Sequence, residues 1–307
     1  MLIYLLFLLV LSVIFGGAYY AYRIAFYSPN TDREKLPSMK SKAYDPYRAE
    51  MRELFHQLQE KPFEFVTVES QDGLTLSGRY YHTADGAPLD IGFHGYRSSP
   101  LTDFTGGSSL SFEMGHNLLL VDQRAHGRSQ GRTITFGIKE RKDLLQWVQY
   151  AVDRFGPDVQ ILLYGISMGG ATVLLASELD LPTNVKGIIA DCPYASPMDI
   201  ILHVGKKMPI PIWLIRPAVK LGARVYGGFE IEESHAGEAV KKAKVPILIL
   251  HGEADTFVPK EMSDIESENP ELIRRFTFPN ANHGLSFLED MPRYKQIVTD
   301  FVSQVLD

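Results

Sequence analysis

Apolar and polar positions divide the chain into stretches of different period. From Leu2 to Tyr22 there is no charged side chain. As a helix, those roughly 21 residues extend about 32 Å, close to the roughly 30 Å hydrocarbon core of a bilayer. Tyr19, Tyr20, Tyr22 and Tyr27 gather at its far end, where an interfacial aromatic belt belongs. Residues 28–43 are polar, mixed in charge, and read as a linker. Asp45-Pro46 reads as an N-cap followed by the first helical position. Tyr47, Met51, Leu54, Phe55 and Leu58 then fall at helical spacing before Lys61-Pro62. Phe63, Phe65, Val66 and Val68, a turn at Asp72-Gly73, and Leu74–Tyr81 predict a hairpin.

Beyond it, short apolar runs alternate with amphipathic stretches. The predicted strands are Leu89–Phe93, Asn117–Val121, Val159–Tyr164, Val185–Ala190, Pro246–Leu250 and Arg274–Phe278. Ile138–Phe155 carries Leu144, Leu145, Val148, Ala151, Val152 and Phe155 on one helical face. This alternation predicts an α/β fold: a mostly parallel central sheet with helices on both faces and an antiparallel edge. Residues 193–240 are too long for a simple crossover and read as an inserted helical cap. The expected organisation is an N-terminal transmembrane anchor over 1–27, a linker and short amphipathic helix over 28–60, and the α/β domain over 61–307, with the cap at about 193–240.

A cleaved signal peptide competes with the anchor. Gly16 and Ala18 resemble a cleavage site, but only the α-amino group supplies positive charge ahead of the apolar run. The basic residues follow it, at Arg23, Arg33, Lys35, Lys40 and Lys42, which predicts a cytoplasmic domain behind a single span. The 307-residue chain has net charge −6, which argues against a nucleic-acid binder. One cysteine, Cys192, excludes a disulfide framework and a multi-thiolate metal site. H-E-x-x-H, G-x-G-x-x-G and Walker A patterns are absent, so no metal and no cofactor is expected.

The strongest chemical signal is Gly165-Ile166-Ser167-Met168-Gly169, between an apolar strand and a helical run from Ala171 to Glu178. Glycines at that spacing allow a tight strand-to-helix turn that presents the serine hydroxyl, with a helix N-terminus beneath it. Serine needs a base within hydrogen-bond reach. With the order nucleophile, acid, base, Asp255 is the leading acid and His283 the one histidine after it. Asp191 and Glu253 remain alternative acids. An oxyanion hole requires backbone N–H donors, expected from Met168 and from Tyr96 in Gly92-Phe93-His94-Gly95-Tyr96. His94, Arg124 and His126 are read as bracing the loops around the site.

These motifs resemble the α/β-hydrolase superfamily. HGY (94–96), DQRAHGRS (122–129), GISMG (165–169), HGEADTFVP (251–259) and NANHG (280–284) occur in the family's order. The resemblance covers roughly residues 61–307 and implies the α/β-hydrolase fold. It carries the family's nucleophile, acid and base over to Ser167, Asp255 and His283. Within the superfamily the chain is similar to bacterial membrane-anchored hydrolases of the serine aminopeptidase and acyl-esterase type, with Asp-Cys-Pro-Tyr at 191–194 before the cap. HGY stands where many lipases have HGGG, which weakens any expectation of a lipase-like pocket. The implied activity is carboxylic ester hydrolysis on a small acyl or lipid-like ester. An aminopeptidase or amidase would need Glu230, Glu232 and Glu233 to grip a substrate amine. A non-catalytic binding protein on the same fold is the third possibility.

Overall fold

The computed structural model describes residues 1–29 and 42–306. Most of the stretch read as a linker, including Arg33, Lys35 and Lys40, lies outside them. Helix α1 spans Leu2–Ala25, with exposed apolar side chains along its first half. Helix α2 spans Arg48–Glu60 and buries Met51, Phe55 and Leu58. The expected cap at Asp45 does not form. Lys42–Tyr47 is a 3₁₀ turn that contains Pro46, and Asp45 Oδ1 instead accepts from Arg48 Nε at 2.8 Å and Nη2 at 2.6 Å.

Eight strands build one sheet: β1 (Glu64–Glu69), β2 (Thr75–Tyr81), β3 (Leu89–Phe93), β4 (Asn117–Val121), β5 (Ile161–Ile166), β6 (Val185–Asp191), β7 (Ile247–Gly252) and β8 (Ile273–Phe278). Their order is β1-β2-β4-β3-β5-β6-β7-β8. β1 pairs antiparallel with β2, and β2 antiparallel with β4; all other pairs are parallel. The apolar runs predicted β3 and β4 to the residue. β5 starts two residues later than expected because Val159 is drawn into a loop, where its carbonyl accepts from Asn184 Nδ2.

Helices α3 (Pro100–Asp103), α4 (Thr105–Glu113), α5 (Glu140–Phe155) and α6 (Met168–Ala176) follow in chain order. Then come α7 (Pro197–Gly205), α8 (Ile212–Gly222), α9 (Ala236–Val240), α10 (Ser286–Glu289) and α11 (Met291–Leu306). α5, α6 and α9 cover one face of the sheet, burying Leu144, Trp147, Val148, Val173 and Val240. α2, α4 and α11 cover the other with Phe55, Leu58, Leu110, Tyr294 and Phe301. Each such side chain, fully buried, contributes about 1.5–3 kcal/mol of transfer free energy.

α3 and α4 have no counterpart in the sequence reading, because PLTDFTGGSSLSFE lacks apolar periodicity. Close packing explains the glycines. A Cβ on Gly106 would lie 2.7 Å from Phe287 Cε1, and one on Gly107 3.2 Å from Tyr164 Cε1.

The 193–240 stretch is helical, as α7, α8, a π-helical turn at Ala223–Gly227, and α9. α8 packs against α1. Ala18, Tyr22 and Phe26 of the N-terminal segment are buried there with Ile215, Val219 and Ala223. Gly222 permits the approach, since a Cβ there would meet Ala18 O at 2.5 Å.

Candidate active site

Strand β5 delivers Ser167 at its C-terminal end. Ser167 has φ 56° and ψ −112°, outside the regions ordinary L-residues occupy. Holding a residue there costs on the order of 1–3 kcal/mol, so the surroundings must enforce it. They do so by contact: a Cβ on Gly165 would overlap the backbone of Gly169, and one on Gly169 the carbonyl of Phe93. The Ser167 N–H donates to Asp191 O at 2.8 Å, tying the turn to β6. α6 begins at the next residue, so its positive N-terminal end lies under the hydroxyl.

The loop after β8 hangs His283 over this turn. Its Nε2 lies 3.0 Å from Ser167 Oγ and its Nδ1 2.6 Å from Asp255 Oδ2. Asp255 is 5% exposed, and its other oxygen accepts the N–H groups of Phe257 at 2.9 Å and Val258 at 2.8 Å. Burial opposes its ionisation. The neighbouring His251 and His283, together with the Val258 N–H, outweigh burial and hold the carboxyl well below the usual carboxylate range. An anionic Asp255 fixes the proton of a neutral His283 on Nδ1 and leaves Nε2 free to accept from the serine hydroxyl.

The two alternative acids are engaged elsewhere. Asp191 accepts from the Tyr294 hydroxyl at 2.9 Å, and burial pushes its carboxyl up to about 6. Glu253 accepts from Thr277 Oγ1 at 2.6 Å and pairs with Lys260 at 3.7 Å. Neither is bonded to His283.

The loop after β3 passes beside the serine. Gly95 lets it pass closely, since a Cβ there would sit 3.1 Å from Asp103 Oδ2 and 3.3 Å from Ser167 Cβ. Its N–H donates to Asp103 Oδ2 at 2.6 Å, and Ser98 Oγ donates to Asp103 Oδ1 at 2.6 Å. Asp103, whose carboxyl is shifted upward by burial, thus pins the segment that leads into Tyr96. Sequence reasoning missed Asp103; the one available signal was the Ser99-Pro100 helix start, with the Ser99 side chain accepting from Thr102 N–H.

His94, His126 and Arg124 brace the loops. His94 Nε2 accepts the Gln123 N–H at 3.1 Å, and His126 Nε2 accepts the Arg97 N–H at 3.0 Å. Arg124 binds Asp143 at 2.6 Å through both Nε and Nη2, and Asp72 at 2.9 and 3.0 Å.

Ser167 and His283 open into a cavity of about 610 Å³. Tyr96, Asp103, Phe257 and Phe287 line it, and so do Tyr44 and Met51 from the segment before the sheet. The Tyr44 hydroxyl donates to His283 O at 3.4 Å, and burial pushes its phenol up to about 12. Residues 193–240, expected to cap the site, contribute nothing to this lining. Glutamates of this stretch form ion pairs, Glu232 with Arg216 and Lys220 and Glu233 with Arg141 and Lys142, while Glu230 lies 3.4 Å from Arg224 through one oxygen only.

Ligand atoms of Cys192, Asp255 and His283 lie within 4.8 Å of one another. This group does not fit a metal. Burial pushes the Cys192 thiol well up, which keeps it protonated, and Asp255 Oδ2 is already bonded to His283.

Residues 93–209 match the sequence family described as the α/β hydrolase fold. The chain has the α/β-hydrolase fold. A crystallised esterase of Pyrococcus furiosus, Pf2001, superposes on this hydrolase fold with a TM-score of 0.68, at 20% identity, covering 91% of this chain and 100% of the esterase. Among sequence relatives, the uncharacterized protein YqkD of Bacillus subtilis is 24% identical over 303 residues, 97% of this chain and 96% of that protein. The thiohydrolase aneE of Aspergillus aculeatus is 25% identical over 248 residues, 78% of this chain and 64% of that protein.

Proposed function

We propose that this chain is a membrane-tethered serine hydrolase that cleaves carboxylic esters through an acyl-enzyme. The observation that carries the reading is the unbroken hydrogen-bonded line from Ser167 Oγ through His283 to Asp255. The Ser167 proton passes to His283 Nε2 as Oγ bonds the ester carbonyl carbon. Backbone N–H groups of Tyr96 and Met168 hold the oxyanion. The C–O bond to the alcohol breaks, and His283 returns its proton to the departing oxygen. Water then releases the acid by the same route. Asp255 stays anionic, orients the imidazole and stabilises the imidazolium.

Tyr44, Met51, Phe257, Phe287 and Leu288 around the cavity favour an acyl group of moderate length. Glu230, Glu232 and Glu233 lie outside the cavity lining, and Glu232 and Glu233 are held in ion pairs, which disfavours the aminopeptidase reading. For membrane attachment, the support is the exposed N-terminal part of α1, ahead of the buried Ala18, with mean hydropathy 2.4 over the helix's most apolar stretch. The basic residues that follow it favour a cytoplasmic hydrolase domain.

The test is a fluorophosphonate probe on the full chain in detergent, together with p-nitrophenyl esters graded in acyl length. Wild type is expected to be labelled, with the Oγ–P bond forming as fluoride leaves. Ser167→Ala is expected to lose labelling and about 10⁶-fold in kcat. An unlabelled wild type, or a turning-over Ser167→Ala, sinks the serine mechanism.

A further inference from the structure

The C-terminal turn of α1 is bonded directly to the loop that carries the proposed oxyanion donor. The Tyr96 hydroxyl donates to Ala25 O at 2.8 Å. One guanidinium nitrogen of the next residue, Arg97, donates to Ile24 O at 2.8 Å and to Tyr27 O at 2.9 Å. The last carbonyls of a helix have no donors within the helix and carry its negative dipole end, so a cation and a hydroxyl are suitable partners.

Arg97 also has φ 53°, a left-handed backbone that a non-glycine residue adopts only when held. Its N–H is fixed by His126 Nε2, so both ends of the residue are anchored, one in the core and one on α1.

α1 is seated firmly enough to act as the anchor. Ala18 and Phe26 are fully buried. Tyr22 OH lies 2.9 Å from Thr133 Oγ1. The backbone beyond the helix pairs with residues 132–134, through Ser28 N–H to Arg132 O at 2.9 Å and Ile134 N–H to Phe26 O at 2.8 Å. The 193–240 insertion supplies the seat: α8 packs against α1, and the missing side chain at Gly222 lets the two backbones come close.

We propose that the last turn of α1 positions the oxyanion loop, with Arg97 as the positioning residue, so that the seating of the N-terminal helix on α8 sets the turnover of Ser167. This rests on the oxyanion role assigned above to the Tyr96 N–H. An oxyanion donor works only when it is aimed at where the charge develops, and removing one such donor costs about 10²–10³ in kcat. Loosening it costs less, about tenfold. The ground-state ester makes little use of the donor, so the loss falls on kcat rather than KM.

The test uses the full chain in detergent micelles, a short-chain p-nitrophenyl ester and the fluorophosphonate probe. Arg97→Met removes the clamp at the loop. Gly222→Leu wedges α1 away from α8 without touching the site. Each is expected to lower kcat about tenfold with KM within about twofold, and to slow labelling in parallel. Arg97→Lys is expected to recover part of the loss. The double variant should fall no further than the worse single variant, because both act through one contact. Wild-type kcat in Arg97→Met and Gly222→Leu, or losses that multiply in the double variant, would overturn the proposal. If Gly222→Leu does not fold, Arg97→Met and Tyr96→Phe decide: wild-type kcat in both sinks it. Ser167→Ala in the same series separates the two readings, since turnover surviving there removes the serine mechanism and not the clamp alone.

Discussion

Two buried carboxylates sit at neighbouring strand ends of this sheet, and their proton affinities are shifted in opposite directions. Asp191 is the last residue of β6, and Asp255 lies three residues past the end of β7. Their exposures are almost equal, at 4% and 5%. Asp255 receives two backbone N–H groups and His283, with His251 Nε2 3.5 Å away. Asp191 receives one tyrosine hydroxyl, and its Oδ1 is buried with no hydrogen-bond partner. Burial penalises the charged form of both, but only at Asp255 do donors outweigh it. The number of donors aimed at the oxygens, rather than depth or position on the sheet, separates a candidate orienting acid from a structural one.

The largest test of that contrast is Asp255→Asn. An asparagine keeps the shape but can present its amide hydrogens to His283, which stabilises the wrong tautomer and no imidazolium. The expected loss in kcat is about 10⁴-fold, with far less for Asp191→Asn. Measured on one ester at saturation, the reverse ranking would transfer the acid role to Asp191.

This contrast also marks where sequence reasoning ran out. Ser167 was legible because Gly165 and Gly169 are forced by backbone contact, and such contact leaves a motif. His283 was legible by elimination, being the one histidine after Asp255. The acid was not fully legible: Asp191, Glu253 and Asp255 all lie at or just past the ends of apolar strands, and what decides between them is the approach of His251 and His283, with the Val258 N–H, which only the folded chain brings together. The strands read well because continuous apolar runs of buried parallel sheet need no periodicity beyond their length. α4 read badly because its glycines answer to Phe287 and Tyr164, both far away in sequence. The apolar run of α1 was evident, but its docking was not. The signal is a few small residues, Ala18, Ala21, Ala25 and Gly222, whose partners are identifiable only once folded.

A second test reads the charge state of Asp191 through stability. Its folded-state pKa of about 6 lies above the roughly 3.9 of an unfolded aspartate. Below about pH 4 the group is protonated in both states and has no effect. Between about pH 4 and 6 the folded chain binds the proton more tightly, so stability falls as pH rises through that window. Asp191→Asn lacks this loss. Its stability relative to wild type is therefore expected to rise by about 2 kcal/mol between pH 4 and pH 6.5, followed by thermal or urea unfolding. A constant difference across that range would mean Asp191 ionises like an exposed carboxylate.

The smallest effect comes from the single donor that Asp191 does have. The Tyr294 hydroxyl donates to Asp191 Oδ2 and is also bonded to the Tyr164 hydroxyl, all three groups being buried. Tyr294→Phe removes the donor and keeps the ring packed against Phe278 and Phe287. At pH 4.5 Asp191 is largely protonated, and the lost bond is an ordinary neutral one, worth about 0.5–1.5 kcal/mol. At pH 7 the carboxylate is ionised, and the lost bond is charge-assisted, worth about 1.5–3 kcal/mol. Without the hydroxyl the folded-state pKa of Asp191 moves further up, so the window in which rising pH destabilises the fold widens. The cost of Tyr294→Phe should therefore be about 1 kcal/mol greater at pH 7 than at pH 4.5. A cost independent of pH would show that the hydroxyl serves Tyr164 alone, and the lone donor would then have no part in setting Asp191 apart from Asp255.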